Sequence, residues 1–354
     1  MSRLGATILT AILLLGLFSA AEPAPAYTPN DEIPSATRKS IDKGFRYLLA
    51  AQNTDGSWGD NKGEAGDLSN TAIGALALMA RGDTLTSGES CQELRRAVSW
   101  SFDKVRKSGG RIGSNASHTL LHRKLGPNID VYLTAILYSQ VLGLELEEWE
   151  AKEMQDHLRK LVDHIASLQK ANGEFETSYE PMLTTVCAWL ALRSAHDAGV
   201  SIRSASAQKV VDYLMKESLD PANGIFRDKK WGMRMRFVSQ AGGLRVISGM
   251  GMTERPDIRK AIDVIHGMKW DQDVGGRSGG EEYLGALFAA QALHIDEGAD
   301  FRKFYPVISN ALIKCQNADG SWYGHHCITG RVFCTACSVM VMMTPNKLLP
   351  MLDR

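Results

Sequence analysis

The sequence predicts an all-α protein assembled from about six helix-hairpin repeats, and three observations carry that prediction. First, Gln52-Asn53-Thr54-Asp55-Gly56-Ser57-Trp58 and Gln316-Asn317-Ala318-Asp319-Gly320-Ser321-Trp322 are near-copies at opposite ends of the chain. Second, each leads into a Thr-Ala-rich segment, Asn70-Thr71-Ala72 and Cys334-Thr335-Ala336, and weaker copies of the same order lie between them. Third, segments with an amphipathic stripe alternate with segments apolar on nearly every face, which separates surface helices from buried ones.

The N-terminus reads as an export leader. Arg3 supplies the positive charge, Ile8 to Phe18 a short apolar run, and Ser19 and Ala21 the small residues a signal peptidase favours. Cleavage is expected after Ala21, with Ala24-Pro25-Ala26 as a second option, and an uncleaved anchor is the alternative. The run is short for a membrane span, and no later segment is long and apolar enough for one. Residues 22–35 are proline-rich and read as a linker, and the repeat domain is placed at 36–354. The expected location is the periplasm or the extracellular space.

The first unit runs from Ile41 through Gly56-Ser57-Trp58 to Met79. Gly110 precedes Tyr132-Leu133-Thr134-Ala135, and Asn172-Gly173-Glu174-Phe175 precedes Thr185-Val186-Cys187-Ala188. Asn223-Gly224-Ile225-Phe226 precedes Gln240-Ala241-Gly242-Gly243, and Asp273-Val274-Gly275-Gly276 precedes Tyr283-Leu284-Gly285-Ala286. The last unit runs from Val307 through Gly320-Ser321-Trp322 to Met340. The turn glycines are about 44 to 63 residues apart, which suits two helices and two loops per unit. Asp-Gly and Asn-Gly supply a left-handed position that ends a helix, and the following aromatic packs back over the turn. Amphipathic first helices, such as Ala151 to Leu168, belong outside, and the apolar second helices inside. Periodicity alone leaves a closed ring and an open solenoid both possible.

Composition narrows the partners. Forty basic residues balance forty acidic ones, so no net charge draws the chain to nucleic acid or anionic lipid. The chain is 44% hydrophobic, enough for a large core that needs no disulfide scaffold, although export permits disulfides.

At these residues the sequence resembles the prenyltransferase and squalene-cyclase repeat superfamily. The marks are the two full Gln-Asn-x-Asp-Gly-Ser-Trp turns and the Thr-Ala-rich helix after each. The resemblance covers about Ile41 to Met343 and implies an α/α toroid, a double ring of inner and outer helices around a central cavity. That superfamily includes terpenoid cyclases, protein prenyltransferase β-subunits and exported bacterial proteins, and related toroids include polysaccharide lyases.

The motifs that carry chemistry in those relatives are missing here. Cyclases of the squalene type use Asp-x-Asp-Asp to protonate an alkene; the nearest string, Asp271-Gln272-Asp273-Val274, lacks the last aspartate and sits at a turn. Prenyltransferases hold zinc through Asp-x-Cys and a distant histidine. His325, His326, Cys327, Cys334 and Cys337 could supply a tetrahedral site, yet Val332 and Thr335 stand where the carboxylate belongs. Metal binding, a disulfide from Cys327 to Cys334 or Cys337, and buried thiols all stay open for that cluster. No cofactor is expected, with zinc the one alternative.

Asp67, Asp130, Glu281 and Arg331 each stand four residues before the Thr-Ala or Gly-Ala step of an inner helix. The acidic ones suit helix caps. If the ring closes, those helix starts gather at one mouth. Asp67, Asp130, Glu281 and Glu282 are then the catalytic candidates, and Asn70, Tyr132, Glu180, Arg331 and Cys334 complete a polar rim. The segment Ser108 to Asn128, with His118 and His122, reads as a surface loop or, more sharply, as a lid over the cavity mouth. Arg227, Asp228, Lys229, Lys230, Trp231, Arg234 and Arg236 read as a solvated loop or a site for an anionic group. The expectation is a binding protein for an apolar or elongated ligand or a protein partner. The alternative is a terpenoid cyclase- or transferase-like enzyme, or a lyase, with a non-standard acid pair.

Overall fold

A computed structural model describes residues 33–113, 119–144, 146–175, 178–232, 235–269, 280–295, 298–324 and 329–346. The leader, the fifth turn around Asp271 to Gly276, His118, Arg234, His325, His326 and Cys327 lie outside the described residues.

Thirteen α-helices are present among the described residues. Six of them form the inner layer: α2 (Leu68–Ala80), α5 (Ile129–Val141), α7 (Pro181–Asp197), α9 (Phe237–Gly249), α11 (Glu281–His294) and α13 (Arg331–Met343). Six more form the outer layer: α1 (Ser35–Ala51), α3 (Cys91–Lys107), α6 (Glu148–Ser167), α8 (Ser204–Tyr213), α10 (Pro256–Gly267) and α12 (Ala299–Cys315). The last, α4 (Leu120–Leu125), is a short helix inside the Ser108 to Asn128 segment. A two-residue hairpin, Leu219–Asp220 with Ile225–Phe226, is the sheet among the described residues.

The inner helices close a ring. α2 packs on α5, α5 on α7, α7 on α9, α9 on α11, α11 on α13, and α13 back on α2. The expected layering holds: every residue of α5 is buried, whereas α3 buries one stripe, Leu94, Ala97, Val98, Ser101, Phe102 and Val105. Each outer helix leans on the inner helix that precedes it in the chain. The first outer helix, α1, therefore leans on the last inner helix, α13.

The repeated turns are the joints between neighbouring outer helices. Gln52 Nε2 donates to the Gly56 carbonyl of its own turn at 2.9 Å and to Glu93 O of α3 at 2.9 Å. Gln169 does the same to Gly173 O and Ser206 O, and Gln316 to Gly320 O and Ser40 O. The Gln316 link ties the last turn to the first helix. At Gly320, φ is 89°, and a Cβ would stand 2.3 Å from the Lys43 carbonyl oxygen. Only glycine permits that approach. The turn aromatics lock each joint to its inner helix. The backbone N–H of Trp58, Phe175 and Trp322 donates to the hydroxyl of Thr71, Thr185 and Thr335, each in the second turn of the inner helix that follows. The indoles of Trp58 and Trp322 donate to Leu48 O and Leu312 O, each at 2.8 Å.

Candidate binding site

Because the inner helices are parallel members of one ring, their N-termini lie at one end, and most of the charged residues that open them meet there. Two buried clusters result, and α4 joins them.

The first cluster is built on α7, α9 and α11. Glu180 precedes Pro181, which starts α7, and Glu281 is the first residue of α11. Glu180 is 0% and Glu281 3% exposed. Lys124 of α4 places Nζ 2.6 Å from Glu281 Oε1 and 3.4 Å from Glu180 Oε1. Arg236, just ahead of α9, pairs with Glu180 Oε2 and reaches Glu281 Oε1 at 3.4 Å. Burial outweighs both cations and raises the Glu180 carboxyl above its usual range. Glu282 is half-buried, and burial together with the charge of Glu281 pushes its pKa up to about 8.

The second cluster is built on α2 and α5. Asp67 caps α2 by accepting from Asn70 N at 2.9 Å, and also accepts from Ser69 Oγ and Asn70 Nδ2. Asn70 Nδ2 bridges to Asp60 Oδ1 at 2.9 Å, and Asp60 Oδ2 accepts from Leu120 N of α4 at 2.9 Å. His122 Nε2 faces Asp130 Oδ2 at 3.8 Å, and its Nδ1 lies 2.7 Å from Thr119 Oγ1. Burial raises the carboxyls of Asp67 and Asp60. Burial works against charge on His122, but Asp130, Asp67 and Asp60 outweigh it, so its pKa lies above the ordinary value.

Along its described second half the Ser108 to Asn128 segment packs against the ring and is not a solvated surface loop. Leu121 and Leu125 are fully buried, and Thr184 Oγ1 donates to Leu125 O while Glu180 N donates to Lys124 O. The basic loop also splits. Asp228 Oδ2 accepts from Met182 N at 3.1 Å and so caps α7. Lys230 Nζ donates to Ser178 O and Tyr179 O, and stands over the Tyr179 ring. Arg236 belongs to the rim rather than to a solvated loop.

The structure brings Asp67, Asn70, Asp130, Glu180, Glu281 and Glu282 to this end, and sends three predicted rim residues elsewhere. Tyr132 is fully buried and edge-on to Phe175 at 6.3 Å, because two helical positions beyond Asp130 turn it to the opposite face. Arg331 reaches back to Asp319 Oδ2 and Ser321 Oγ and lies over Tyr323, drawn by the carboxylate of its own turn. Cys334 is fully buried beside Thr329 Oγ1 at 3.3 Å. Burial raises Cys337 well above the ordinary thiol value, which opposes the thiolate a metal needs. Among the described residues no group of three or more His, Cys, Asp or Glu could hold a metal ion.

Sequence reasoning missed Asp60 and Lys124. Asp60 had a signal: it stands two residues after the turn aromatic Trp58, as Asp228 does after Phe226, and both cap a helix of another unit.

Comparison with known proteins places this geometry. The α-1,6-mannanase GH76A of Salegentibacter sp. HEL1_6, solved as an inactive variant in complex with α-1,6-mannotetrose, aligns with a TM-score of 0.60 at 8% identity. That alignment covers 89% of this chain and 100% of the mannanase. The type II terpene cyclase MstE from Scytonema aligns with a TM-score of 0.51 at 14% identity, over 89% of this chain and 98% of the cyclase. A protein from Actinoplanes aligns with a TM-score of 0.52 at 16% identity, over 87% of this chain and 99% of that one. At these identities the likeness is one of fold. No curated protein matches the chain. The family described as the prenyltransferase alpha-alpha toroid domain matches residues 9–115 and 128–299. With most of its length matched and its inner ring closed, the chain belongs to the prenyltransferase α/α-toroid family.

Proposed function

We propose that this chain is an exported toroid protein that binds an elongated ligand, or an extended segment of a protein partner, at the rim formed by the inner-helix N-termini. Its leader is cleaved after Ala21, and a proline-rich linker leads into the ring, which begins at Ile33 and α1. The observation that carries the binding reading is the pairing of Glu180 and Glu281, from different inner helices, with both Lys124 and Arg236. Carboxylates held between two cations recognise charge and shape well. Their oxygens are already engaged by Lys124 and Arg236, which suits recognition more than catalysis. The mannanase of like fold was solved with a tetrasaccharide, which supports an elongated ligand for such a ring. The test is native mass spectrometry of the chain isolated from the compartment to which it is exported. A bound mass should be present in the natural chain and lost in Glu180→Gln and Glu281→Gln. A rim variant that keeps the mass sinks the reading.

A second reading rests on Glu282. A carboxyl whose pKa burial and a neighbouring carboxylate push upward is the kind of group acid-initiated chemistry of the terpenoid-cyclase kind requires. Under that reading a linear polyprene alcohol is cyclised by the natural chain and untouched by Glu282→Gln; no turnover by the natural chain removes it.

A further inference from the structure

The short helix α4 carries a basic group into a cup that the ring builds. Lys124 is 2% exposed. Its Nζ lies 2.6 Å from Glu281 Oε1, 3.4 Å from Glu180 Oε1 and 4.1 Å from the centroid of the Tyr179 ring. Two carboxylates and an aromatic face around one nitrogen is a general arrangement for recognising an alkylammonium group. The cup's walls are set by the ring rather than by the lysine side chain, although Glu180 N donates to the Lys124 carbonyl. Glu281 opens α11, Glu180 stands ahead of α7, and the Tyr179 carbonyl is held by Lys230.

The cup also has unused capacity. Glu281 is 3% exposed, yet its Oε2 has no hydrogen-bond partner, and Glu180 Oε1 has none that meets hydrogen-bond geometry. A buried carboxylate oxygen without a donor is costly. An ammonium has three donors, and one arriving on a stem not fixed to α4 can reach both oxygens. The lysine sits in residues 116–127, which lie between the two stretches matched by the family. The ring wall thus belongs to the shared architecture, and Lys124 lies outside the part that matches. Leu121 and Leu125, fully buried on either side of Lys124 in α4, make the surroundings of the cup apolar.

We propose that Glu180, Glu281 and Tyr179 form a receptor for a primary ammonium group, that Lys124 fills it as an internal ligand, and that the ligand of the rim presents an alkylammonium on an apolar stem that replaces Lys124. This rests on the rim being the binding site.

The test removes the internal ligand and supplies it from solution. Lys124→Ala removes the internal ligand while Arg236 stays paired with Glu180 and Glu281; n-butylammonium chloride is the probe, with 1-butanol as the uncharged match. Butylammonium should raise the melting temperature of Lys124→Ala by several degrees while butanol does not. Adding Glu281→Gln should abolish most of that gain. Equal effects of the amine and the alcohol, or a gain that survives Glu281→Gln, overturn the receptor. A second measurement uses the natural chain and needs no variant to fold. Hydrogen exchange at residues 119–126 should quicken several-fold with butylammonium and stay unchanged with butanol; unchanged exchange with both overturns displacement of Lys124. Failed rescue alongside a rim-dependent ligand in the native mass spectrum overturns the receptor alone. Successful rescue alongside a bound mass indifferent to Glu180→Gln and Glu281→Gln overturns the rim reading on which the ligand's identity rests.

Discussion

Replacing Gly320 with alanine strikes the joint where the ring closes. The residue has φ of 89°, and a Cβ there would stand 2.3 Å from the Lys43 carbonyl oxygen of α1. Non-bonded heavy atoms settle at roughly 3.5 Å, so α1 must shift by about 1 Å. That shift strains Gln316 Nε2 to Ser40 O at 2.9 Å and Ser40 Oγ to Gln316 Oε1 at 2.8 Å. Each of those bonds contributes about 1 kcal/mol, and the left-handed backbone costs an alanine about 1–2 kcal/mol more. The expected loss is therefore about 3–4 kcal/mol. Gly63 is the control, because its φ is 82° and a Cβ there meets nothing within 4 Å. Gly63→Ala should lose only the backbone share, about 1–2 kcal/mol. Urea unfolding followed by circular dichroism compares the two variants with the natural chain. Equal losses would refute the claim that Gly320 is a contact point between the ends of the ring.

Other consequences follow from the same geometry. Trp322→Phe and Trp58→Phe each lose an indole bond to a helix carbonyl and leave a small void, so each should cost about 2 kcal/mol in the same unfolding assay. Glu282 has a folded pKa of about 8, above its ordinary 4.5. The fold thus holds that proton more tightly than the unfolded chain, and this favours the fold below about 4.5 and is lost as pH rises through about 8. Glu282→Gln should flatten the fall in melting temperature over that window and be the more stable chain above it; an unchanged profile would count against the assignment. His122 should titrate above 6.5 in a proton NMR experiment, and Asp130→Asn should lower its midpoint. Its stabilising charge is present below 6.5 and lost as pH rises through the raised value. A midpoint indifferent to Asp130→Asn would separate the two residues.

Much of the architecture was legible because it rests on local rules. Gln-Asn-x-Asp-Gly-Ser-Trp marks a helix end wherever it stands, and the apolar faces of α2 and α13 announce burial without reference to partners. The closing of the ring needed the resemblance, since Gln316 and Ser40 meet across nearly the whole chain. The rim was half legible. Asp67, Asp130, Glu180 and Glu281 could be placed by their offset from the inner helices. Tyr132 could have been excluded by helical rotation from Asp130. Lys124 could not be found, because its partners Glu180 and Glu281 lie on distant helices and its own segment has no repeat to align with. A basic, glycine-containing stretch reads as solvated until the acidic cup that neutralises it is known. His122 and Arg236 were misplaced for the same reason.

The claim that the rim beneath α4 holds the ligand is tested most directly by hydrogen exchange on the chain as isolated with its bound molecule, compared with the chain after that molecule is stripped. The account predicts that slowed exchange is concentrated at the first turns of α7 and α11, around Glu180 to Thr184 and Glu281 to Gly285, with α4 also changed. Protection confined to the outer helices, with these turns unaffected, would contradict it.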